Sequence, residues 1–551
     1  MFCPKCGTQN AEDVKFCASC GSEIVPAPVA ETAPVNVEPT EAVAPVSAKK
    51  DILEPVRPLL EKVAPTMQKV TPFLQKNKLF VIGGLGILAC VICIALLVAI
   101  FGGGSGYATV KHSISLRIVE DELVFMYDNK KAVNTGLECD DYTTASSMDG
   151  SVMAVLTSEY DLVIIKNNKM TKVADGVVKF VISSDGTGLA YITKEEDEEK
   201  VLYLYNVKTK KSQTVSKDVY GTSLALSPNG DSLCYFQMKE DDDEATLMYF
   251  KGKKSTKITS NEVSLMALSN NGKYIYTYGR DDEGNGYLYS YNTKGDRKKI
   301  GKSNGGYIYL NEDHTQVLYQ YDGKSFISTK AKEGVKISSS SATPILPDNA
   351  AYYYGSYTYT IGTDNLYNKV YACSADNGSN IWYIRKNTDK SIKLVGGVYG
   401  VQLSHDGEKL FYENKDGELK VLIISKGEKA ADKAKTLAEE FDDFVVTSDG
   451  KKVYYSCDDG VYCVNTKNGK GKKTVTNEEI DSYLYINAKD VVYYILDGDA
   501  YASKNGSKGK VVVSDATSLG QSRNGIVTVR TDDAYYRTKG AKKPTKVLEI
   551  D

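Results

Sequence analysis

Four cysteines near the start of the chain carry its most specific chemistry. They are paired as Cys3-x-x-Cys6-Gly7 and Cys17-x-x-Cys20-Gly21, with ten residues between Cys6 and Cys17. A Cys-x-x-Cys-Gly turn lets two thiolates converge on one ion, and the glycine permits the tight backbone that this needs. Two such turns supply four sulfurs, the full tetrahedral set for a structural Zn²⁺, with no open position for catalysis. A segment this short buries no useful core, so metal binding is expected to supply most of its folding free energy. A redox Cys-x-x-Cys pair would need a βαβ context that the flanking sequence lacks.

The rest of the chain offers little catalytic material. Its three histidines, His112, His314 and His405, are far apart in sequence. No nucleophile elbow or phosphate-binding loop is present. The acidic runs 195–199 and 240–244 lack the spaced ligands and turn glycine of a calcium loop and read as solvated hairpin tips. Cys457 and Cys463 flank Asp458-Asp459-Gly460 and fit either a disulfide or two reduced, buried thiols. The stretch Ala351-Tyr-Tyr-Tyr-Gly-Ser-Tyr-Thr-Tyr-Thr360 fits two roles, ordinary strand packing or an aromatic surface for a glycan or peptide.

The elements that position these residues can be read from periodicity. A phrase of apolar strand, Asp-Gly or Asn-Gly turn, and aromatic-ended strand recurs at 180–191, 224–235, 266–276, 401–412 and 445–455. Asp, Asn and Gly tolerate the positive φ of a tight hairpin. A second phrase follows as Leu204-Tyr-Asn-Val-Lys208, Ser290-Tyr-Asn-Thr-Lys294 and Cys463-Val-Asn-Thr-Lys467, which reads as an outer hairpin of the same unit. Weaker copies centre near Asp149, Glu312, Asp348, Ala488 and Asp532, and most neighbours lie 36–44 residues apart. Asp348 and Asp406 are 58 apart, which predicts an insertion. Four short strands per unit of this length is the period of a β-propeller blade. Forty tyrosines against one tryptophan suit such a strand-rich fold.

Before the repeats, residues 25–50 are a Pro/Ala-rich spacer expected to be disordered, and 51–78 carry a proline every seventh residue. Residues 79–101 hold no charge over 23 positions, enough for one transmembrane helix. Lys69, Lys76 and Lys78 precede that run, which by the positive-inside rule puts the cysteine-rich end in the cytoplasm and residues 107–551 outside. A net charge of −3 argues against nucleic acid as a partner.

The Cys-Pro-x-Cys-Gly … Lys-Phe-Cys-x-x-Cys-Gly pattern of residues 1–24 resembles the zinc ribbon of many bacterial membrane proteins. Ser227-Pro-Asn-Gly230 resembles the turn of TolB-like propellers; His405 stands where that turn has proline, and a structural role is expected for it. The resulting expectation is a mainly β chain: zinc ribbon, one transmembrane helix, and a C-terminal β-propeller of about eight four-stranded blades, within a range of seven to ten. The expected function is that of a membrane-anchored, non-catalytic binding or scaffold protein. Its extracytoplasmic propeller would recognise a protein, peptide or envelope glycan, and a cytoplasmic protein would be a partner of the ribbon. The alternatives are an extracytoplasmic glycan hydrolase or lyase, which would need two converging carboxylates, and a purely structural envelope component.

Overall fold

The computed structural model describes residues 106–550 apart from 195–199, 239–243, 356–357, 376–377, 386–390 and 541–542. The zinc ligands Cys3, Cys6, Cys17 and Cys20, the spacer, the proline heptads and the apolar run 79–101 lie outside the described residues, as does most of both acidic runs.

The turn phrase builds a repeated local structure. In Val177–Ile182 followed by Gly188–Lys194, Ser183 Oγ donates to Asp185 Oδ1 (2.7 Å) and accepts the N–H of Gly188 (2.9 Å). Gly186 takes the left-handed φ of +71° that closes the turn. Ser147 with Asp149, Ser404 with Asp406 and Thr447 with Asp449 repeat this arrangement. A hydroxyl two residues before an Asp therefore satisfies backbone that would otherwise be orphaned at the innermost hairpin, which is why the phrase recurs. Neighbouring turns interlock: Met148 N–H donates to Ser184 O, Asp185 N–H to Pro228 O, and Ala488 N–H to Gly525 O.

The described strands form ten sheets, mostly four-stranded and antiparallel. The seven-stranded sheet is two units in one. Its 13-residue strand Ser391–Leu403 pairs outward through residues 391–398, then shifts register between Val398 and Val401 and pairs with the following strand. One strand thus ends the seventh unit and opens the eighth, and the ten sheets hold eleven packing units. Consecutive units share cores, such as Val155 and Val163 against Phe125, or Val529 against Ile495. Tyrosines fill much of this space: seven of the largest fully buried side chains are Tyr. Some also reach the next unit, as when the Tyr276 hydroxyl donates to His314 O (3.0 Å) and that of Tyr454 accepts the Gly506 N–H (2.8 Å).

The last sheet packs back on the first. Met126 of the first sheet meets Tyr535 and Val547 of the last, and Ala132 N–H donates to Val547 O (2.7 Å). Among the described residues no strand is exchanged at this seam; side chains and the Ala132–Val547 backbone bond close it. Arg537, 2% exposed, donates to Asp128 O (2.6 Å), Met126 O (3.4 Å) and Ser115 Oγ (3.0 Å).

Three expectations are corrected. The count of about eight blades falls short of the sheets observed, because the first unit has three strands and two units share one. Two weak copies are also reassigned. Asp532 belongs to an outer hairpin of the last sheet, whose inner turn is Ser522–Gly525, and Asp348 lies within an inserted segment. As for the membrane helix, no helix among the described residues is long and apolar enough to cross a membrane. Their helices are short 3₁₀ turns such as Asn270–Gly272 and Ile424–Lys429. The single-pass placement, N-terminus cytoplasmic and repeat domain extracytoplasmic, is withdrawn with it; the run 79–101 itself lies outside the described residues.

Candidate ligand-binding site

The predicted insertion is found, and it forms the site. Between Ala342–Pro344 and Lys369–Ala375, where other units have a tight turn, the chain adds a hairpin of Tyr352–Tyr354 and Thr358–Ile361. Thr358–Ile361 pairs in parallel with the inner strand Ile308–Leu310 of the sixth unit. The segment leading into the hairpin bridges Thr109 through Ala350. It also receives Gln402 Nε2 at Asp348 and Arg523 Nη1 at Ala350 O (3.1 Å). Tyr353 packs on the core shared by the second and third units. The insertion therefore touches inner edges around the ring.

The tyrosine-rich stretch holds both packed and solvent-facing rings. Tyr353 is packing. Tyr352, Tyr354 and Tyr359 build an aromatic cluster with Tyr307 and Tyr309. Ring centres lie 4.8 Å apart for Tyr352–Tyr354, 4.6 Å for Tyr354–Tyr359, 5.1 Å for Tyr309–Tyr359 and 5.3 Å for Tyr307–Tyr359. Edge-on and offset contacts in this range are favourable and rigid. Tyr307 and Tyr354 remain 55% and 56% exposed, so the cluster presents ring surface to solvent. Both lie at the strand ends opposite the Asp-Gly turns, since Tyr307 precedes an inner strand and Tyr354 precedes the hairpin turn.

At the other end, a cavity of about 240 Å³ opens among the inner turns of units eight to eleven. Asp348, His405, Asp490, Arg523 and Lys539 face it. The guanidinium carbon of Arg523 lies over the Tyr352 ring, 3.2 Å from its centre. Asp348 and Arg523 are both solvent-exposed, yet surrounding protein desolvates them: burial pushes the Asp348 carboxyl up and the Arg523 guanidinium down to about 10. Water contact combined with desolvation places them on the walls of a concavity. The expected structural role of His405 gives way to a place on this wall, and Asp348 and Arg523 carry no local sequence signal for it.

A second cavity of about 750 Å³ lies among the turns of units two to six. Most of its acids are turn caps. Asp149 accepts from Ser151 N–H (2.9 Å) and Ser147 Oγ (3.0 Å), and Asp313 from Thr315 N–H (3.1 Å) and Asn311 Nδ2 (2.8 Å). Glu312 differs: burial, with Asp364 and Asp313 nearby, raises its carboxyl. Among the described residues no three His, Cys, Asp or Glu side chains gather into a metal site.

The other singled-out residues are structural. His314 is buried, with Nδ1 2.9 Å from Leu268 O and Nε2 2.7 Å from Thr360 Oγ1. His112 pairs with Asp128 at 2.8 Å in the closing seam. Cys457 and Cys463 are both free thiols; the register sets Cys457 against Gly460 and Cys463 against Tyr454, so they do not face each other.

Comparison with known proteins adds the following. Residues 2–24 match the zinc-ribbon domain family. Comparison with curated proteins gave no significant match. Among solved structures, the tricorn protease is similar over 74% of this chain and 62% of its own, at 13% identity and a TM-score of 0.22. TolB from Acinetobacter baumannii is similar over 51% of this chain and 78% of its own, at 12% identity and a TM-score of 0.25. The β-propeller domain of the Trilobed protease from Pyrococcus furiosus, described as having an open velcro topology, is similar over 57% and 94%, at 13% identity and a TM-score of 0.28. The chain thus carries a segment that matches the zinc-ribbon family, and its propeller-like array of sheets stands on its own strand order.

Proposed function

We propose that the repeat domain is a non-catalytic binding module that grips a peptide or glycan on the tyrosine cluster of its central hairpin. The observation that carries this reading is the five-ring cluster with Tyr307 and Tyr354 more than half exposed. Rigid rings already packed against one another lose little entropy on binding, and their faces accept sugar C–H groups or peptide side chains. Replacing both Tyr307 and Tyr354 by alanine is expected to weaken binding of a peptide or oligosaccharide selected on the full chain at least about tenfold, roughly 1.4 kcal/mol. Calorimetry with the selected ligand checks it; an unchanged affinity would sink the reading.

The hydrolytic alternative is carried by Glu312 beside Asp364. Its support is thinner, because the neighbouring acids are occupied as turn caps.

For the N-terminal segment, the reading is one structural Zn²⁺ held by Cys3, Cys6, Cys17 and Cys20, supported by the spacing and the family match. Metal analysis of the purified chain is expected to give one zinc per molecule, and Cys6→Ser together with Cys20→Ser to abolish it. Zinc retained in that double variant would place the metal elsewhere.

A further inference from the structure

We propose that the end of the repeat domain that carries the tyrosine cluster is a docking face for a basic, Lys- or Arg-rich peptide segment of a partner protein. This rests on the reading of that cluster as a binding surface and names its ligand class, a peptide cation rather than a glycan.

Topology sorts the exposed tyrosines to one end. Inner turns of neighbouring units touch, as where Asn229 N–H donates to Asn270 Oδ1 (3.0 Å) and Lys409 Nζ to Gly450 O (2.6 Å), so these turns share one end of the array. The starts of the inner strands, and the turns between second and third strands, therefore share the other. Among the described residues six tyrosines are more than half exposed, and all six stand at that other end. Tyr307 and Tyr354 belong to the cluster. Tyr220 lies at the start of Val219–Leu226, Tyr399 at the register shift of Ser391–Leu403, and Tyr483 just before Tyr485–Ile486. Tyr160 sits in the turn between Val152–Thr157 and Leu162–Lys166. Open rings gathered at a single end mark an interaction surface.

Charge selects the partner. Each of the eleven units has an Asp or Glu between its second and third strands, such as Glu120-Asp121, Asp458-Asp459 and Asp532-Asp533, and the only basic residues in those intervals are Lys239 and Lys415. The links from one unit to the next, at the same end, add Asp140-Asp141, Glu439-Glu440 and Glu478-Glu479. At the opposite end, every unit but the second has Lys or Arg between its third and fourth strands. The net charge of −3 thus conceals two ends of opposite sign. The acidic end also holds a cavity of about 450 Å³ with Asp442, Asp443, Glu479, Asp481, Tyr483 and Tyr485 on its wall, and no Lys or Arg. Burial, with Asp442 adding to it, raises the Asp443 carboxyl, so an arriving cation is favoured there. A lysine or arginine side chain meets carboxylates and open tyrosine faces together, and both attract it. A neutral glycan gains no Coulomb attraction from the carboxylates, and an anionic one is repelled.

Suitable probes are decapeptides that alternate glycine with lysine, glutamine or glutamate, and cellohexaose as a neutral glycan. In calorimetric titration of the full chain, the lysine peptide is expected to bind at least about tenfold tighter than the other probes, and to weaken at least about tenfold between roughly 0.05 M and 0.5 M salt. Tyr307→Ala with Tyr354→Ala is expected to weaken it at least about tenfold. Asp442→Asn, Glu479→Gln and Asp481→Asn together are expected to weaken it about fivefold; all three carboxylates are exposed, so this variant keeps its fold. Cellohexaose or the glutamine peptide binding as tightly as the lysine peptide, and losing affinity in the tyrosine variant, would overturn the basic-peptide assignment while leaving the tyrosine surface standing. Lysine-peptide binding that is indifferent to the tyrosine variant would overturn the assignment and the tyrosine reading together. No binding of the lysine peptide, or self-association of the chain at low salt that the peptide disperses, would also overturn it, the latter by seating a second copy's lysine-rich end on this face.

Discussion

Replacing Arg537 with alanine should destabilise the ring by about 3–5 kcal/mol, the cost of breaking a buried charged network by deleting one partner. The guanidinium sits at the only place where chain connectivity does not help: the seam between the last sheet and the first. It donates to Met126 O and Asp128 O of the first sheet and to Thr528 Oγ1 of its own, and it reaches Ser113 and Ser115. Without it those carbonyls lose their donor while still excluded from water. Asp128, which also accepts from His112, the Ser113 N–H and Asn524 Nδ2, loses the cation that offsets its charge. Burial holds this guanidinium down, at about 10, so it stays charged at neutral pH. Arg537→Lys should recover less than half of the loss, because one ammonium cannot reach acceptors spread across both sheets. Urea unfolding checks it; a loss under about 1 kcal/mol for Arg537→Ala would show that apolar contacts such as Met126 with Val547 close the seam unaided.

The second large effect is in acid. His314 is held neutral inside the fold, its ionisation pushed from 6.5 down to about 4, chiefly by burial. The neutral tautomer fits both partners, Nδ1–H donating to Leu268 O and Nε2 accepting from the Thr360 hydroxyl. Protonation would make Nε2 a donor, force the Thr360 hydroxyl to turn its own proton away, and place a charge where burial disfavours it. In the unfolded chain the imidazole takes up a proton below about 6.5. The unfolded state therefore binds more protons between pH 6.5 and 4, and stability falls as pH drops through that window, then levels off below it. A shift of this size corresponds to about 3 kcal/mol. His314→Asn tolerates the residue's φ of +56° and removes the titration. The wild-type chain should lose about 2–3 kcal/mol more than His314→Asn between pH 7 and pH 4. Carboxylates whose ionisation is raised, such as Asp443 and Glu312, titrate alike in both proteins and cancel in the difference. Parallel curves for the two would show that His314 is already protonated in the fold, or exposed to water.

Much of the repeat domain was legible from residue order. Ser183-Ser-Asp-Gly186 and its copies encode a turn through contacts at most five residues apart, so local sequence suffices. The 58-residue interval after Asp348 announced the inserted hairpin for the same reason: spacing along a repeat is a local quantity. The tyrosine count points to strands, and strands make up most of the described residues; that seven of these rings are fully buried emerges only in the fold.

The number of units was not legible, because it depends on where irregular units fit: a first sheet of three strands, and one strand shared by two units through a register shift at Val398–Val401. The apolar run of 79–101, read as a membrane helix, lies outside the described residues, and no helix among those is long and apolar enough to cross a membrane. The chemistry of the cavity was hidden for a further reason. Asp348, His405, Arg523 and Lys539 belong to an insertion, an inner turn and the last sheet, and each stands in an ordinary local context. Only the packing of the last sheet against the insertion brings Arg523 onto Tyr352 and near Asp348. Turn chemistry acts between neighbours in the chain and can be read from it. A cavity is made where distant segments meet, and its position follows from how the sheets close, which no short stretch of sequence records.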